Sequence, residues 1–485
     1  MRRSVAVLFG LVLAFDAAAV KLQPSGRKPP SDSAVAQRLE WFRDQKLGFF
    51  VHFGIYSQIG GEASWVLVDK TPQWRKAVNW TDGDGDTFKR DYFALNRSFN
   101  PIAFRPDRWA KLAKESGFRY FILTAKHHDG FCLWDTKLTD YKVTAPDCPF
   151  SKNPRADILR QAFDAFRAEG LGISCYFSKP DFHHPDYWDN LGLGRQTAIY
   201  PSYDVGKEPE RWKRYCEFAH AQVMEIVRGY GKIDVLWLDS VSNIDAPELS
   251  RKVREVQPGM LVVNRYDRGI CEDFVTPEQQ VPKNALSVPW ESCMTMIDDP
   301  KGGGWGYLYD ADYKSERALV HLLIDVVAKG GNLALDVGPT PSGALPPPAV
   351  TRMKAMGRWL QANGAAIYGT RILEPYRTEN WAYAKGRDGT AYAIRLWKEG
   401  EARTFELTMD EKIPTVPTKA VHLSSGREVA VRTESDGRLT LVLPKDVKLD
   451  EYADAFRLVA GEHRLLSKGE KRTGWRINKH INGDP

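Results

Sequence analysis

The segment IDVLWLDS, residues 233–240, sets how the rest of the chain is interpreted. Its apolar run ends in a single carboxylate, a pattern that predicts a strand buried on both faces with Asp239 at its carboxyl end. Side chains alternate along a strand, so Trp237 and Asp239 are expected to share one face of the sheet. Asp239 therefore either caps the segment that follows or is presented for chemistry.

Strand-like and helix-like segments alternate on both sides of this segment. Further strands are predicted over 46–54, 119–127, 170–178, 260–265 and 332–337, with a short additional segment over 287–292. Helices are predicted over 34–44, 106–116, 154–169, 209–230, 246–255, 313–329 and 348–363. About seven strands joined by helices imply a parallel sheet in the form of a (β/α)8-like barrel. An open Rossmann sheet is less well supported, because no G-x-G-x-x-G motif follows the first strand.

The character of the chain changes near residue 372. Short β-rich segments at 390–397, 404–409, 420–423 and 439–443 are separated by Gly, Asp and Pro turns. This spacing predicts a C-terminal antiparallel β-sandwich domain over 372–462, after a catalytic barrel over 20–371 and before a basic polar tail over 463–485. The sandwich is expected either to cap the barrel or to act as a separate sugar-binding module.

The amino terminus has the pattern of a secretory signal. Arg2 and Arg3 precede an apolar run, and Ala17 to Ala19 offer a small-residue cleavage site, which predicts a signal peptide over 1–19. The apolar run is too short for a membrane span, so no span is expected. We expect export to the periplasm or outside the cell, or to the lysosome in a eukaryotic host. Disulfides are permitted there, and six cysteines allow fifteen pairings.

Composition narrows the range of partners. The net charge of +6 is small for 485 residues and no long basic run occurs, so a nucleic-acid partner is not expected. Aromatic residues make up 12% of the chain, with 15 Trp. Aromatic faces stack on the apolar faces of sugars, so this surplus fits either a large core or a sugar-binding cleft.

Ionisable side chains fall at the carboxyl ends of several predicted strands, which in a barrel is the face that carries active sites. These residues are His52, His127, His128, Asp239 and Arg265. Because His127 and His128 are adjacent, they are expected to face opposite ways and not to share a metal ion. We therefore expect no metal and no cofactor.

A pair of carboxylates is the chemistry that remains. A serine hydrolase of the G-x-S-x-G type is not supported, since that motif does not occur. Glycoside hydrolysis needs one carboxylate as nucleophile or base and another as proton donor, flanked by aromatic side chains. Asp239 beside Trp237, together with Glu291 beside Trp290, supplies this combination.

Longer motifs point to a known family. They are WFRDQKLGFFVHFGIYS at 41–57, FNPIAFRPDRWAKLAKESGFRYFILTAKHHDGFCLWDT at 99–136, IDVLWLD at 233–239, EDFVTPEQ at 272–279, PWESCMTM at 289–296, WGY at 305–307 and GGNLALDVGPTPSG at 330–343. In this order, the motifs resemble the α-L-fucosidases of glycoside hydrolase family 29. KHHDGFCLWDT and WLD are specific in combination, although either alone is weak.

The resemblance implies a role for each matching residue. Asp239 corresponds to the nucleophile, which forms a covalent fucosyl-enzyme that water then opens with retention of configuration. Residues that correspond to those holding the sugar or walling its pocket are His52, Trp65, His127, His128, Tyr176, Trp237 and Arg265. Imidazole and guanidinium groups suit vicinal hydroxyls, and an indole suits the methyl group of a 6-deoxy sugar.

The proton donor is expected to be Glu291 in the motif PWESC. Some relatives use an acid from the preceding loop, which here offers Asp273 as the second choice and also contains Glu272 and Glu278. A retaining enzyme requires the acid to lie roughly 5 to 5.5 Å from Asp239.

One position departs from the family pattern. At the position of Ser64, many relatives have a glutamate that reaches the sugar. Either Glu62 takes over the role of that glutamate, or the substrate is bound differently. The expected substrate is a terminal α-L-fucosyl residue of an oligosaccharide or glycoconjugate. The alternatives are a hydrolase for a related sugar, such as an α-L-galactoside, and a secreted glycan-binding protein that has lost catalysis.

Overall fold

The computed structural model describes residues 32–68, 85–193, 199–265, 271–299, 303–414 and 417–460. The expected signal peptide over 1–19 and the basic tail over 463–485 lie outside these residues. In the part of the chain that is described, no helix is both long and apolar enough to span a membrane. All six cysteines are described, and none of them forms a disulfide.

Strands and helices alternate through the first part of the chain. The strands are β1 (Leu47–Val51), β2 (Tyr120–Lys126), β3 (Gly172–Ser178), β4 (Val235–Asp239), β5 (Leu261–Asn264), β6 (Glu291–Thr295) and β7 (Asn332–Asp336). The helices are α1 (Ser33–Gln45), α2 (Gly85–Phe93), α3 (Pro106–Glu115), α4 (Ile158–Ala168), α5 (Pro209–Gly229), α6 (Ala246–Val256), α7 (Glu316–Ala328) and α8 (Pro347–Asn363). Short 3₁₀ helices lie at Ile55–Gln58, Ala63–Leu67, Ala94–Arg97, Pro149–Lys152, Asp189–Gly192 and Gly364–Ala366.

The seven strands form one curled parallel sheet in the order β5-β4-β3-β2-β1-β7-β6. Residues 273–279 fill the gap between the two edge strands. The backbone N–H of Asp273 donates to the carbonyl of Val262 on β5, and Glu278 forms a parallel bridge with Cys293 on β6. The expected (β/α)8-like barrel is confirmed, with this irregular segment in the place of an eighth strand.

Strand β4 has the alternation that its sequence predicts. Trp237 packs inside the barrel in a cluster with Phe50 and Tyr176. Leu236 and Leu238 belong to the larger core between the sheet and the surrounding helices. Burial on both faces explains the continuous apolar run, and Asp239 is the last residue of the strand.

Strand β2 breaks its alternation near its end. Thr124 pairs with Tyr176 of β3 and Lys126 with Phe177, so one extra residue is accommodated on β2 as a bulge. The Lys126 Nζ consequently points away from the barrel interior and binds Asp181 Oδ2 at 2.7 Å.

The bulge also changes the positions of the two histidines that follow β2. The ring centroids of His127 and His128 are only 4.1 Å apart. The expectation that the two rings face opposite ways was therefore wrong, because strict alternation ends before they are reached.

The described strands after α8 are antiparallel. Its strands are β8 (Thr370–Arg377), β9 (Trp381–Gly386), β10 (Ala391–Leu396), β11 (Glu406–Thr408), β12 (Pro417–His422), β13 (Glu428–Thr433), β14 (Leu439–Val442) and β15 (Ala453–Ala460). They form one continuous sheet in the order β11-β14-β13-β12-β15-β10-β9-β8. The sheet folds over a core that contains Trp381, Tyr383 and Phe456, and Trp381 Nε1 donates across it to the carbonyl of Thr408 at 3.0 Å. The predicted fold class is confirmed, with a single folded sheet as the C-terminal domain.

Candidate active site

The carboxyl ends of the barrel strands form a polar pocket. His52 follows β1, His127 and His128 follow β2, Tyr176 lies near the end of β3, Asp239 ends β4, and Arg265 follows β5. The structure brings these predicted residues together. Ring centroids of His52 and His127 are 5.5 Å apart, and those of His127 and Tyr176 are 5.8 Å apart.

Asp239 is held by a donor on each of its oxygens. Arg265 Nη1 donates to Oδ1 at 2.8 Å, and the Tyr176 hydroxyl donates to Oδ2 at 2.5 Å. His128 Nε2 lies 3.9 Å from Oδ2. Burial by itself would raise the pKa of Asp239, but Arg265, His128 and the Tyr176 hydroxyl outweigh burial and hold that pKa below its ordinary value. The carboxylate is thus ionised at neutral pH and fixed in orientation.

Glu278 is the second carboxylate at this site. Arg265 Nη2 donates to Glu278 Oε2 at 2.6 Å, while the other terminal nitrogen of the same guanidinium binds Asp239. The side chain of Glu278 is 33% exposed and that of Asp239 is 10% exposed. One arginine therefore pairs a buried carboxylate with one nearer to solvent.

Glu291 lies at the opposite end of its strand from the pocket. It is the first residue of β6, whereas the predicted strand over 287–292 would have put it near the carboxyl end. Trp237 Nε1 donates to Glu291 Oε1 at 3.1 Å, and the Tyr120 hydroxyl donates to Oε2. Burial raises the pKa of Glu291 to about 7. With both oxygens bonded inside the barrel, Glu291 is not placed to contact a leaving group.

Asp273, the second choice for the acid, also lies away from the pocket. Its Oδ2 accepts the backbone N–H of Val262 at 2.6 Å and the Arg254 guanidinium at 2.6 Å. Val262 is near the start of β5, so these bonds hold Asp273 at the amino end of the sheet.

Aromatic rings form the floor and wall of the pocket. Tyr176 is stacked between His127 and Trp237, with centroid distances of 5.8 and 5.3 Å. Trp65 meets His128 edge-on at 5.1 Å. Trp305, which was not predicted as a site residue, lies 5.0 Å from the His52 ring. These rings offer the apolar surface that a sugar methyl group or ring face requires.

Asp336 is a site residue that the sequence reasoning missed. It ends β7 after the apolar run NLAL, and its Oδ1 lies 2.7 Å from His52 Nδ1. The pairing fixes the orientation of the imidazole and leaves Nε2 for a ligand. Its sequence signal is the same as that of Asp239, a carboxylate that ends a buried strand.

Two serines orient the histidines that follow β2. Ser178 Oγ lies 2.7 Å from His128 Nδ1, and Ser64 Oγ is hydrogen-bonded to His127 Nδ1. Burial lowers the pKa of His128 to about 4 and holds that of His127 well below its usual range. Both imidazoles are therefore neutral near pH 7, which suits hydrogen bonding to hydroxyls.

Glu62 does not take the place of the missing glutamate. Its carboxyl oxygens accept the backbone N–H groups of Gly304 at 2.7 Å and Trp305 at 3.2 Å. Burial raises the pKa of Glu62 to about 8. Glu62 thus anchors the loop that carries Trp305. Among the described residues, no group of three or more His, Cys, Asp or Glu is arranged to hold a metal ion.

The structure combines a parallel barrel with two carboxylates paired to one arginine, beside neutral histidines and aromatic side chains. This combination is the one expected of a glycoside hydrolase. The profile of the family described as Alpha-L-fucosidase matches residues 14–365. The chain therefore belongs to the α-L-fucosidase family, glycoside hydrolase family 29.

Known relatives agree with this assignment. Human tissue α-L-fucosidase is 27% identical over 467 residues, which cover 88% of this chain and 90% of the relative. The structure of α-L-fucosidase isoenzyme 1 from Paenibacillus thiaminolyticus is similar with a TM-score of 0.72 and 31% identity, covering 89% of this chain and all of the other. The structure of the Thermotoga maritima α-fucosidase in complex with fucose is similar with a TM-score of 0.69 and 27% identity, covering 87% of this chain and 96% of the other.

Proposed function

We propose that the protein is an exo-acting, retaining α-L-fucosidase with Asp239 as nucleophile and Glu278 as acid and base. It would release terminal α-L-fucosyl residues from oligosaccharides or glycoconjugates. The observation that carries the proposal is the pairing of both carboxylates by the two terminal nitrogens of Arg265. Such a compact pair suits retention, for which the carboxyl groups lie roughly 5 to 5.5 Å apart.

In the first step, Asp239 attacks the anomeric carbon and a carbon–oxygen bond forms between them. The glycosidic bond breaks as its oxygen takes a proton from Glu278, and the aglycone leaves as an alcohol. Arg265 and Tyr176 hold Asp239 so that little reorientation is needed before attack.

In the second step, Glu278 takes a proton from water as that water attacks the anomeric carbon. The bond to Asp239 breaks, so the carboxylate is regenerated and fucose leaves with its original configuration. Glu278 suits this double role because it is nearer to solvent than Asp239.

The pocket is well suited to a deoxy sugar. Neutral His127 and His128 each offer a ring nitrogen to the hydroxyl groups of the sugar. His52, whose ring is oriented by Asp336, also offers a ring nitrogen. The rings of Trp65 and Trp305 offer apolar contact for the methyl group.

Azide rescue tests both assignments in one experiment. In Asp239→Gly, azide should enter the vacated space, restore turnover of an aryl α-L-fucoside and yield the β-fucosyl azide. In Glu278→Ala, azide should intercept the fucosyl-enzyme from the other face and yield the α-fucosyl azide. Hydrolysis of an unactivated fucoside by Glu278→Ala should fall about 10²- to 10⁴-fold, as expected when a general acid is lost.

Glu291→Ala is the matched control, because it removes a buried carboxylate of the same barrel. Neither azide product is expected from it. Formation of the α-fucosyl azide by Glu291→Ala and not by Glu278→Ala would reassign the acid to Glu291. Unchanged hydrolysis by Asp239→Gly would refute the nucleophile assignment.

We also propose that the protein is exported, on the basis of the signal pattern over residues 1–19. Amino-terminal sequencing of the mature protein tests this. A mature chain beginning after Ala19 is expected, and an intact Met1 on protein recovered inside the cell would contradict it.

A further inference from the structure

Two tyrosines, Tyr307 and Tyr309, lie on the loop after β6. Tyr309 is 54% exposed and is one of the large apolar side chains left open to solvent in the described part of the chain. Tyr307 is half-buried beside it, with ring centroids 5.1 Å apart and planes at 80°. The proposed reaction assigns no role to either ring.

The Tyr309 ring is held in place without any ligand. The ring lies against Gly60, where an added Cβ would come within 2.2 Å of Tyr309 Cδ2. The hydroxyl donates to the carbonyl of Gln58 at 3.1 Å. A ring that is fixed beside Gly60 and at its hydroxyl, and that is 54% exposed, presents its exposed surface to a ligand with little conformational entropy left to lose on binding.

The loop that carries these rings adjoins both the sugar pocket and the proposed acid. Trp305 of the same loop contacts His52 in the pocket, and four extended residues reach at most about 14 Å from Trp305 to Tyr309. On the other side, Gln279 Nε2 donates to the carbonyl of Gly303 at 3.3 Å, and Gln279 follows Glu278 directly.

This position determines which part of a substrate meets the tyrosines. The acid contacts the glycosidic oxygen, so the aglycone lies on the side of the pocket where Glu278 stands. The loop bonded to the neighbour of Glu278 is therefore the wall that the aglycone passes as it extends toward solvent.

We propose that Tyr309, supported by Tyr307, forms a binding subsite for the first sugar ring of the aglycone. The subsite rests on the proposed fucosidase function. The apolar face of a pyranose packs on the exposed surface of the Tyr309 ring, as sugars do on aromatic side chains. Oligosaccharides are thereby favoured over fucosides that carry no sugar in the aglycone.

The test compares two substrates across three variants. The substrates are a fucosylated disaccharide and α-L-fucosyl fluoride, which has no aglycone sugar. Tyr309→Ala should lower kcat/KM for the disaccharide about tenfold, mainly through KM, and leave kcat/KM for the fluoride unchanged. Tyr309→Phe keeps the ring and should retain most of the disaccharide activity. Tyr376 is a half-buried tyrosine of the C-terminal sheet. Tyr376→Ala is therefore the control and should leave kcat/KM for both substrates unchanged.

Equal kcat/KM of wild type and Tyr309→Ala on the disaccharide would overturn the subsite. An equal loss on both substrates would also overturn it, because the ring would then support the fucose pocket itself. Calorimetric titration measures the affinity for the disaccharide and for free fucose. It distinguishes a failure of the subsite proposal from a failure of the proposed fucosidase function. Wild type that hydrolyses neither substrate refutes the fucosidase function, whereas a weaker affinity of Tyr309→Ala for the disaccharide alone still supports the subsite.

Discussion

At the residue scale, Ser64 shows how one side chain fixes the orientation of another. Its hydroxyl bonds Nδ1 of His127, and both side chains are buried. Ser64→Ala would leave a buried ring nitrogen without this partner, at a cost of about 1–3 kcal/mol. We expect kcat/KM for α-L-fucosyl fluoride to fall about tenfold, since a freed imidazole binds a hydroxyl less precisely. Steady-state kinetics and urea unfolding measure the two effects.

Ser64→Thr is the control for this prediction, because it keeps the hydroxyl and should retain most of the activity. If Ser64→Ala matches wild type in both measurements, the hydroxyl does not position His127. An equal loss in Ser64→Thr would instead show that volume, not hydrogen bonding, is what the position requires.

Individual residues also show how far the sequence alone could lead. The placement of Asp239 at the carboxyl end of a buried strand was predictable, because a parallel strand buried on both faces has a continuous apolar run and the carboxylate follows that run directly. Asp336 carries the same signal, but its pairing with His52 joins residues 284 positions apart and is visible only in the folded barrel. Glu278 stands in an irregular segment without periodicity, so its pairing with Arg265 emerges only from the folded barrel.

At the scale of elements, strand limits decide which end of the barrel a residue occupies. A shift of β6 by a few residues moved Glu291 from the expected carboxyl end to the amino end, where it bonds Trp237 and Tyr120. The bulge in β2 likewise brought His127 and His128 together. Periodicity predicts that a strand exists but fixes neither its ends nor its bulges, because those depend on partners distant in sequence.

The position of Glu291 inside the barrel predicts a pH dependence of stability. Burial raises the pKa of Glu291 to about 7, above the value of an unfolded chain. The native state therefore binds the extra proton, and stability from this group is full below about pH 4.5 and is lost as pH rises through about 7. Glu291→Gln keeps a neutral side chain at every pH. We expect its unfolding free energy relative to wild type to rise by about 2–3 kcal/mol between pH 5 and pH 8.

Urea unfolding at several pH values measures this difference. Glu406→Gln, which replaces a carboxylate paired with Arg432 on the exposed surface, is the control and should show almost no pH dependence relative to wild type. A difference between Glu291→Gln and wild type that stays constant from pH 5 to pH 8 would mean that Glu291 does not titrate in this range.

At the scale of the whole molecule, the C-terminal sheet is joined to the barrel through α7 and α8. Arg317 of α7 donates to the carbonyls of Trp397 and Glu451, at 2.9 and 2.6 Å. Trp359 Nε1 of α8 donates to the carbonyl of Ala453 at 2.8 Å. These contacts are made from helices on the outside of the barrel, and they favour a structural cap over an independent sugar-binding module.

The junction predicts that stability and catalysis can be separated. Arg317→Ala would leave two carbonyls at the junction without their charged donor, so the free energy of unfolding should fall by about 2 kcal/mol. Hydrolysis of α-L-fucosyl fluoride should keep its kcat/KM, because α7 contributes no side chain to the pocket described above. Arg432→Ala is the matched control, since its exposed pairs with Glu406 and Glu434 on the same domain should contribute less than about 1 kcal/mol. Equal stabilities of the two variants would show that Arg317 does not couple the domains, and a loss of kcat/KM in Arg317→Ala would show that the sheet acts on the pocket.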